Sequence, residues 1–149
     1  MAEYSTELHE LLFRRFNRTD VELLLPLMKE VSLREGDILF SLGESGDKLF
    51  FVVEGQLAVQ KRTGFGERTQ VVALLDPGAP AGERALFRDN RHRATLLAVK
   101  DSILFSFSYQ VFDELKKKYP LLVVSLLEWL LERTSLRLEK NSDRLSHVL

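Results

Sequence analysis

Residues 78–98 read GAPAGERALFRDNRHRATLLA, and the remainder of the chain is best interpreted around them. The pair Gly82-Glu83 opens a one-turn helix predicted over residues 82–87. A basic loop, Arg88-Asp-Asn-Arg-His-Arg93, follows, and then a short apolar strand over residues 94–98. Each part has a chemical use. Backbone N–H groups at a helix N-terminus point at an anion. A carboxylate accepts hydrogen bonds from sugar hydroxyls. A cation from the next loop neutralises a phosphate. The layout suits a small cyclic phosphodiester.

On either side lie short apolar runs punctuated by glycine: residues 37–40, 49–53, 57–60, 70–75, 94–99 and 102–107. Turn signals separate them at Glu35-Gly36-Asp37, Gly43, Gly46-Asp47, Glu54-Gly55 and Asp76-Pro-Gly78, and residues 63–67 read as a hairpin tip. Short strands at a spacing of roughly 8–12 residues predict a sandwich or β-roll over residues 31–107.

Helical patterns flank this zone. Leu8, Leu11, Leu12 and Phe16 fall near one face of a first helix. Thr19-Asp-Val-Glu22 is a capping-box pattern opening a second helix, which Pro26 shortens or kinks. After the strands, Val111, Phe112 and Leu115 make a short amphipathic helix, and Tyr119-Pro120 starts a long one. Within that helix Leu127, Leu131, Thr134, Leu138, Asn141, Leu145 and Val148 alternate by four and three, a heptad seam of about three repeats. This seam predicts a homodimer, with Asn141 as the polar residue that fixes register. A second stripe, Leu122, Leu126, Trp129, Leu130 and Leu136, points elsewhere and is expected to cover the strands.

Composition excludes several classes. The chain has 149 residues, 45% hydrophobic and 29% charged, which is globular and of single-domain size. A net charge of −1 argues against a general nucleic-acid binder. There is no cysteine, hence no disulfide, thiol catalysis or Cys-ligated metal, which fits a reducing cytoplasm. The start MAEYSTELHE has no signal-peptide pattern. The most apolar stretch, residues 121–131, is too short to span a bilayer. An enzyme is the poorest fit. The histidines His9, His92 and His147 sit in different zones, and His92 is flanked by cations that repel a metal. No cofactor or metal is expected.

Two segments give the chain a family likeness. Leu33-Arg-Glu-Gly-Asp-Ile-Leu-Phe40, with Gly43-Glu-Ser-Gly-Asp-Lys-Leu-Phe-Phe-Val-Val-Glu-Gly55, resembles the opening strands of the cyclic nucleotide-binding domain family. That family includes catabolite-activator-type regulators and protein kinase A regulatory subunits. Gly82-Glu-Arg-Ala-Leu86, with Arg93-Ala-Thr95, is similar to its phosphate-binding cassette. The resemblance implies a mainly β fold with flanking helices. Its core is a double-stranded β-helix, a jelly-roll-like β-roll, with N-terminal helices and a long C-terminal helix. The chain then divides into helices at residues 1–30, roll at 31–108 with cassette 78–98, and helices at 109–149.

The same resemblance implies site roles. Gly82 donates a backbone N–H to the phosphate, Glu83 accepts from the ribose 2′-hydroxyl, and Ala85 with its neighbours offers further amides. Arg84 stands where an apolar residue is usual and Ala81 where an aromatic one is. Counted without gaps, the phosphate arginine's place falls on His92, with Arg93 one residue later, so both are candidates, beside Ala94 and Thr95. Arg133 and Arg137 are candidates to contact a base from the long helix. The implied function is a stand-alone sensor of cyclic AMP or cyclic GMP whose C-terminal helix responds to ligand and alters a dimer or effector-protein surface. The alternative is a degenerate domain without nucleotide affinity that acts in dimerisation or docking. The chain ends at Leu149 without a helix-turn-helix, so no DNA contact is expected.

Overall fold

The computed structural model describes residues 10, 12, 14–62 and 68–148. His9, Leu8 and Leu11 of the expected first helix, the hairpin tip at 63–67 and the side chain of Val148 lie outside the described residues. Helix α1 (Arg18–Leu24) is capped by Asn17, whose side chain accepts from the Asp20 N–H at 2.8 Å. The capping box expected at Thr19 therefore does not form. Thr19 is already in the first turn, and Glu22 pairs with Arg18 at 3.2 Å instead. Asn is as good a cap as Thr, and here it comes first in the chain. Pro26 sits in a single 3-10 turn (Leu25–Leu27) that ends the helix, as its lack of an N–H requires.

Eight strands follow: β1 (Lys29–Leu33), β2 (Ile38–Phe40), β3 (Lys48–Glu54), β4 (Leu57–Arg62), β5 (Thr69–Leu75), β6 (Pro80–Ala81), β7 (Thr95–Ala98) and β8 (Ser102–Ser108). They form two four-stranded sheets, β1-β8-β3-β6 and β2-β7-β4-β5, with every pairing antiparallel. This is the predicted β-roll. Strand β6 carries no period-2 apolar signal, and that of β1 is confined to Val31 and Leu33, which pack against the inter-sheet cluster. KEVSL is mostly exposed and is held by pairing with β8, and β6 has only two residues, paired with β3.

Strand β3 shows how the sequence serves two cores. Leu49, Phe51 and Val53 pack into one cluster under the helices, with Phe16, Leu24, Phe112, Leu126 and Trp129. Phe50 and Val52 point the opposite way, into a cluster between the sheets with Phe40, Leu57, Leu75, Ala81, Leu96 and Leu104. Alternate side chains of a strand face opposite sides, so a strand buried on both faces is apolar throughout.

Helix α2 (Tyr109–Lys118) is capped by Ser108, and α3 (Pro120–Val148) is the long helix. Leu122, Leu126, Trp129 and Leu130 of α3 are buried, as expected of the second stripe. Leu136 departs from it, at 44% exposed. At 100° per residue it lies on the opposite side of the helix from Leu127, well off the line through Leu126 and Leu130. The Trp129 ring stacks on Phe51 (centroids 4.6 Å, planes 5° apart) and meets Phe16 edge-on at 5.7 Å. Among the described residues no helix is long and apolar enough to cross a membrane.

Candidate functional site

A cleft of about 350 Å³ opens between the β2-β7-β4-β5 sheet, the segment 80–84 and helix α3. Its apolar wall is Phe40, Val59, Leu75, Ala81, Ala94 and Leu96, all inward-facing residues of the roll. Its polar lining comes from four places in the chain. Gly82, Glu83 and Arg84 belong to the cassette, His92 and Arg93 to the approach to β7, Lys61 to β4, and Arg137 and Asn141 to α3.

The cassette turn is a 3-10 helix (Glu83–Leu86), close to the one-turn helix predicted. Gly82 introduces it with φ +76°, and a Cβ there would stand 2.7 Å from the Lys48 carbonyl oxygen. Both facts require glycine. Ala85 is buried and its N–H donates to the Gly82 carbonyl at 3.0 Å. That amide closes the turn and is not offered to the cleft, contrary to the sequence expectation for Ala85. The tight turn uses the donor a looser one would leave free.

His92 is 4% exposed, and its ring lies 3.5 Å from that of Phe40, nearly parallel. Its backbone is fixed on both sides. The His92 N–H donates to Glu44 O at 2.8 Å, and the Gly43 N–H donates to His92 O at 2.8 Å. A Cβ on Gly46 would come within 2.5 Å of the ring, so that glycine makes room for it. Burial pushes the imidazole below the usual histidine value. Glu44 and Glu83 pull it part of the way back, and Arg84 opposes them. His92 is thus a buried wall residue of the cleft, where a loop histidine is ordinarily exposed.

Arg93, one residue on, lines the same cleft. It is exposed and donates to Asp89 Oδ2 at 3.0 Å. Asp89 is held below the usual carboxylate range, first by the Arg91 N–H and then by the charges of Arg93 and Arg84. Arg84 is half-buried with its guanidinium 5.1 Å from the Phe87 ring centre. Its Nε is buried and has no hydrogen-bond partner among the described residues. Thr95 stands outside the cleft lining, and its hydroxyl accepts from the Leu42 N–H at 2.9 Å.

From α3, Arg137 donates to the Pro80 carbonyl at 3.2 Å. Arg133 lies away from this cleft, in a neighbouring groove with Leu136 and Lys140. Asn141, expected in the dimer seam, lines the cleft instead. At 100° per residue it falls on the flank of the helix shared with Leu130 and Arg137, at the edge of the leucine face. Leu127, Leu131, Leu138 and Leu145 are 43%, 68%, 62% and 61% exposed and fall on one face of the helix, with Thr134 and Asn141 interrupting it. Sequence reading missed Phe40, Val59, Lys61 and Val72 as cleft residues. Their signal is only the alternation of β2, β4 and β5, which does not say which face holds an opening.

The sequence model for the cyclic nucleotide-binding domain matches residues 30–119, more than half of the chain. The chain belongs to the cyclic nucleotide-binding domain family. Among curated proteins, the cyclic AMP receptor protein of Thermus thermophilus is 28% identical over 122 residues, which cover 82% of this chain and 56% of that protein. The cAMP-dependent protein kinase regulatory subunit of Dictyostelium discoideum is 26% identical over 106 residues, 70% of this chain and 32% of that one. The chain thus spans about half the length of the first relative and a third of the second. The crystal structure of a cyclic nucleotide-binding domain from Methylobacillus flagellatus aligns with TM-score 0.88 at 22% identity, over 99% of this chain and 85% of that one. At that identity the likeness establishes the fold.

Proposed function

We propose that this chain is a regulatory module, not a catalyst, that senses a cyclic mononucleotide, cAMP or cGMP. One observation carries the reading. Gly82 and Glu83 of the cassette, Arg93 of the following segment and Arg137 with Asn141 of α3 line one cleft. Its size, about 350 Å³, falls within the roughly 300–1,000 Å³ of small-molecule sites. In this reading Glu83 accepts from the ribose 2′-hydroxyl and the Gly82 amide and Arg93 hold the phosphate. Arg84 adds charge, and Ala94 and His92 form the wall behind. Arg137 and Asn141 approach the base. Ala85 and Thr95 act indirectly, by closing the turn and by holding the loop at Leu42. The names of the Thermus and Dictyostelium relatives, both of which invoke cAMP, favour that nucleotide.

Because α3 supplies part of the lining, a ligand that fills the cleft makes contacts that depend on where the helix lies. That differential contact is what moves an equilibrium. The exposed stripe Leu127, Leu131, Leu138 and Leu145 is the surface through which such a shift reaches a second copy of the chain or an effector protein. Calorimetric titration with cAMP, repeated with cGMP, tests the reading. Binding at micromolar affinity or tighter supports a sensor. No heat with either nucleotide, together with no thermal shift, replaces it with a dimerisation or docking module.

A further inference from the structure

Four cations, Lys61, Arg84, Arg93 and Arg137, line a cleft that holds one carboxylate, Glu83. Two of them are tied to the same acid just outside it. Asp89 Oδ2 receives Arg93 Nη2 at 3.0 Å and stands 3.5 Å from Arg84 Nη2, which also donates to the Asp89 backbone carbonyl at 3.1 Å. Asp89 itself is absent from the cleft lining. It faces an outer groove with Leu42, Gly43, Arg91, His92 and Arg93. Arg93 therefore borders both spaces. Arg84 is bound at one end only, since its buried Nε has no partner among the described residues.

We propose that Asp89 is an internal counter-ion for a two-arginine phosphate clamp: it holds Arg84 and Arg93 together, and a ligand phosphate competes with it for both. The inference rests on the cyclic nucleotide reading and adds to it a second phosphate cation and a competitor within the chain. The physical basis is the balance of partners. Asp89 and Arg93 are 57% and 66% exposed, and ion pairs so exposed hold weakly. A phosphate in a partly desolvated cleft offers charge-assisted, bidentate hydrogen bonds that a single shared carboxylate oxygen does not. The arrangement makes the site selective for phosphorylated ligands over the neutral nucleoside.

Titration calorimetry with cAMP on the wild type, Asp89→Asn, Arg84→Gln and the double variant tests it, with circular dichroism as the check on folding. Asp89→Asn is expected to tighten binding by up to about fivefold in low salt, the scale of an exposed ion pair, and by less in high salt. Arg84→Gln is expected to weaken binding about tenfold or more, the scale of a hydrogen bond to a charged group. The double variant should lose most of the Asp89→Asn gain. Unchanged or weaker binding in Asp89→Asn would overturn the proposal and make Asp89 a positioning residue for the arginines. If the wild type binds neither cAMP nor cGMP, the nucleotide reading fails by itself. The clamp is then tested with inorganic phosphate, followed through the arginine Nε–H NMR signals assigned with Arg84→Lys and Arg93→Lys. Joint movement of both signals, at lower phosphate in Asp89→Asn, supports the clamp. No movement in either protein ends it.

Discussion

The His92 ring lies 3.5 Å from Phe40 and against Gly46, so charging it places a cation in a wall with little water. Burial is the main cause of its lowered pKa in the folded chain. The unfolded chain, with an ordinary histidine near 6.5, takes up the proton first. His92 therefore contributes stability above pH 6.5 that is lost as pH falls through the lower folded value. The melting temperature should drop between pH 7 and pH 5, and the drop should be shallower in His92→Phe. Equal slopes in the two proteins would assign the effect to other groups. For Glu83, which lines the cleft between Gly82 and Arg84, Glu83→Ala should weaken cyclic nucleotide binding by about 1.5–3 kcal/mol if it meets the ribose, measured by calorimetry. Unchanged affinity would remove Glu83 from the site. That Gly82, Glu83, His92 and Arg93 come together was legible from the cassette resemblance, which left the phosphate position open between His92 and Arg93. The burial of His92 was not legible, because its stacking partner Phe40 is some fifty residues away in the chain.

Among the elements, α3 carries two faces with different fates. Leu122, Leu126, Trp129 and Leu130 fasten its first half to β3 and α1, and the Phe51–Trp129 stack adds about 0.5–1.5 kcal/mol beyond the area buried. Its second half touches the roll through polar tips, Arg137 on Pro80 O and Arg144 on Val72 O at 3.3 Å. A helix fixed firmly at one end and lightly at the other is suited to respond at the light end. The leucine stripe lies about a third of a turn from the roll-facing side. If it is the homodimer surface, Leu131→Asp with Leu138→Asp should convert dimer to monomer in sedimentation without loss of helix content. A mass unchanged by the pair would reject that interface. The heptad spacing was readable in advance. The diversion of Asn141 to the cleft was not, since the α3 flank beside Arg137 acquires meaning only when β6 lies beneath it.

For the whole molecule, the cleft joins a sheet, a cassette and a helix that are remote in sequence, so filling it stabilises all three together. Cyclic nucleotide at a hundredfold excess over its dissociation constant should stabilise the fold by about 2.7 kcal/mol. In a chain of this size that corresponds to a rise in melting temperature of roughly 5–10 °C, readable by scanning calorimetry. No rise with a nucleotide that binds would mean that the unfolded chain binds it equally. The amino-acid sequence by itself determined the helix–roll–helix order, the positions of six of the eight strands and the glycine-led cassette, because hydrophobic period and turn chemistry are local properties. Strands β1 and β6 escaped it: β1 has only the pair Val31 and Leu33 to mark it, β6 is two residues long, and both are fixed by pairing with β8 and β3. Tertiary structure alone decided which inward residues border an opening, that of the two neighbours lining the cleft His92 is buried against Phe40 while Arg93 is exposed, and that Asp89 binds two arginines at once. Those outcomes follow from burial and charge proximity between distant segments, which come into being only when the chain closes on itself.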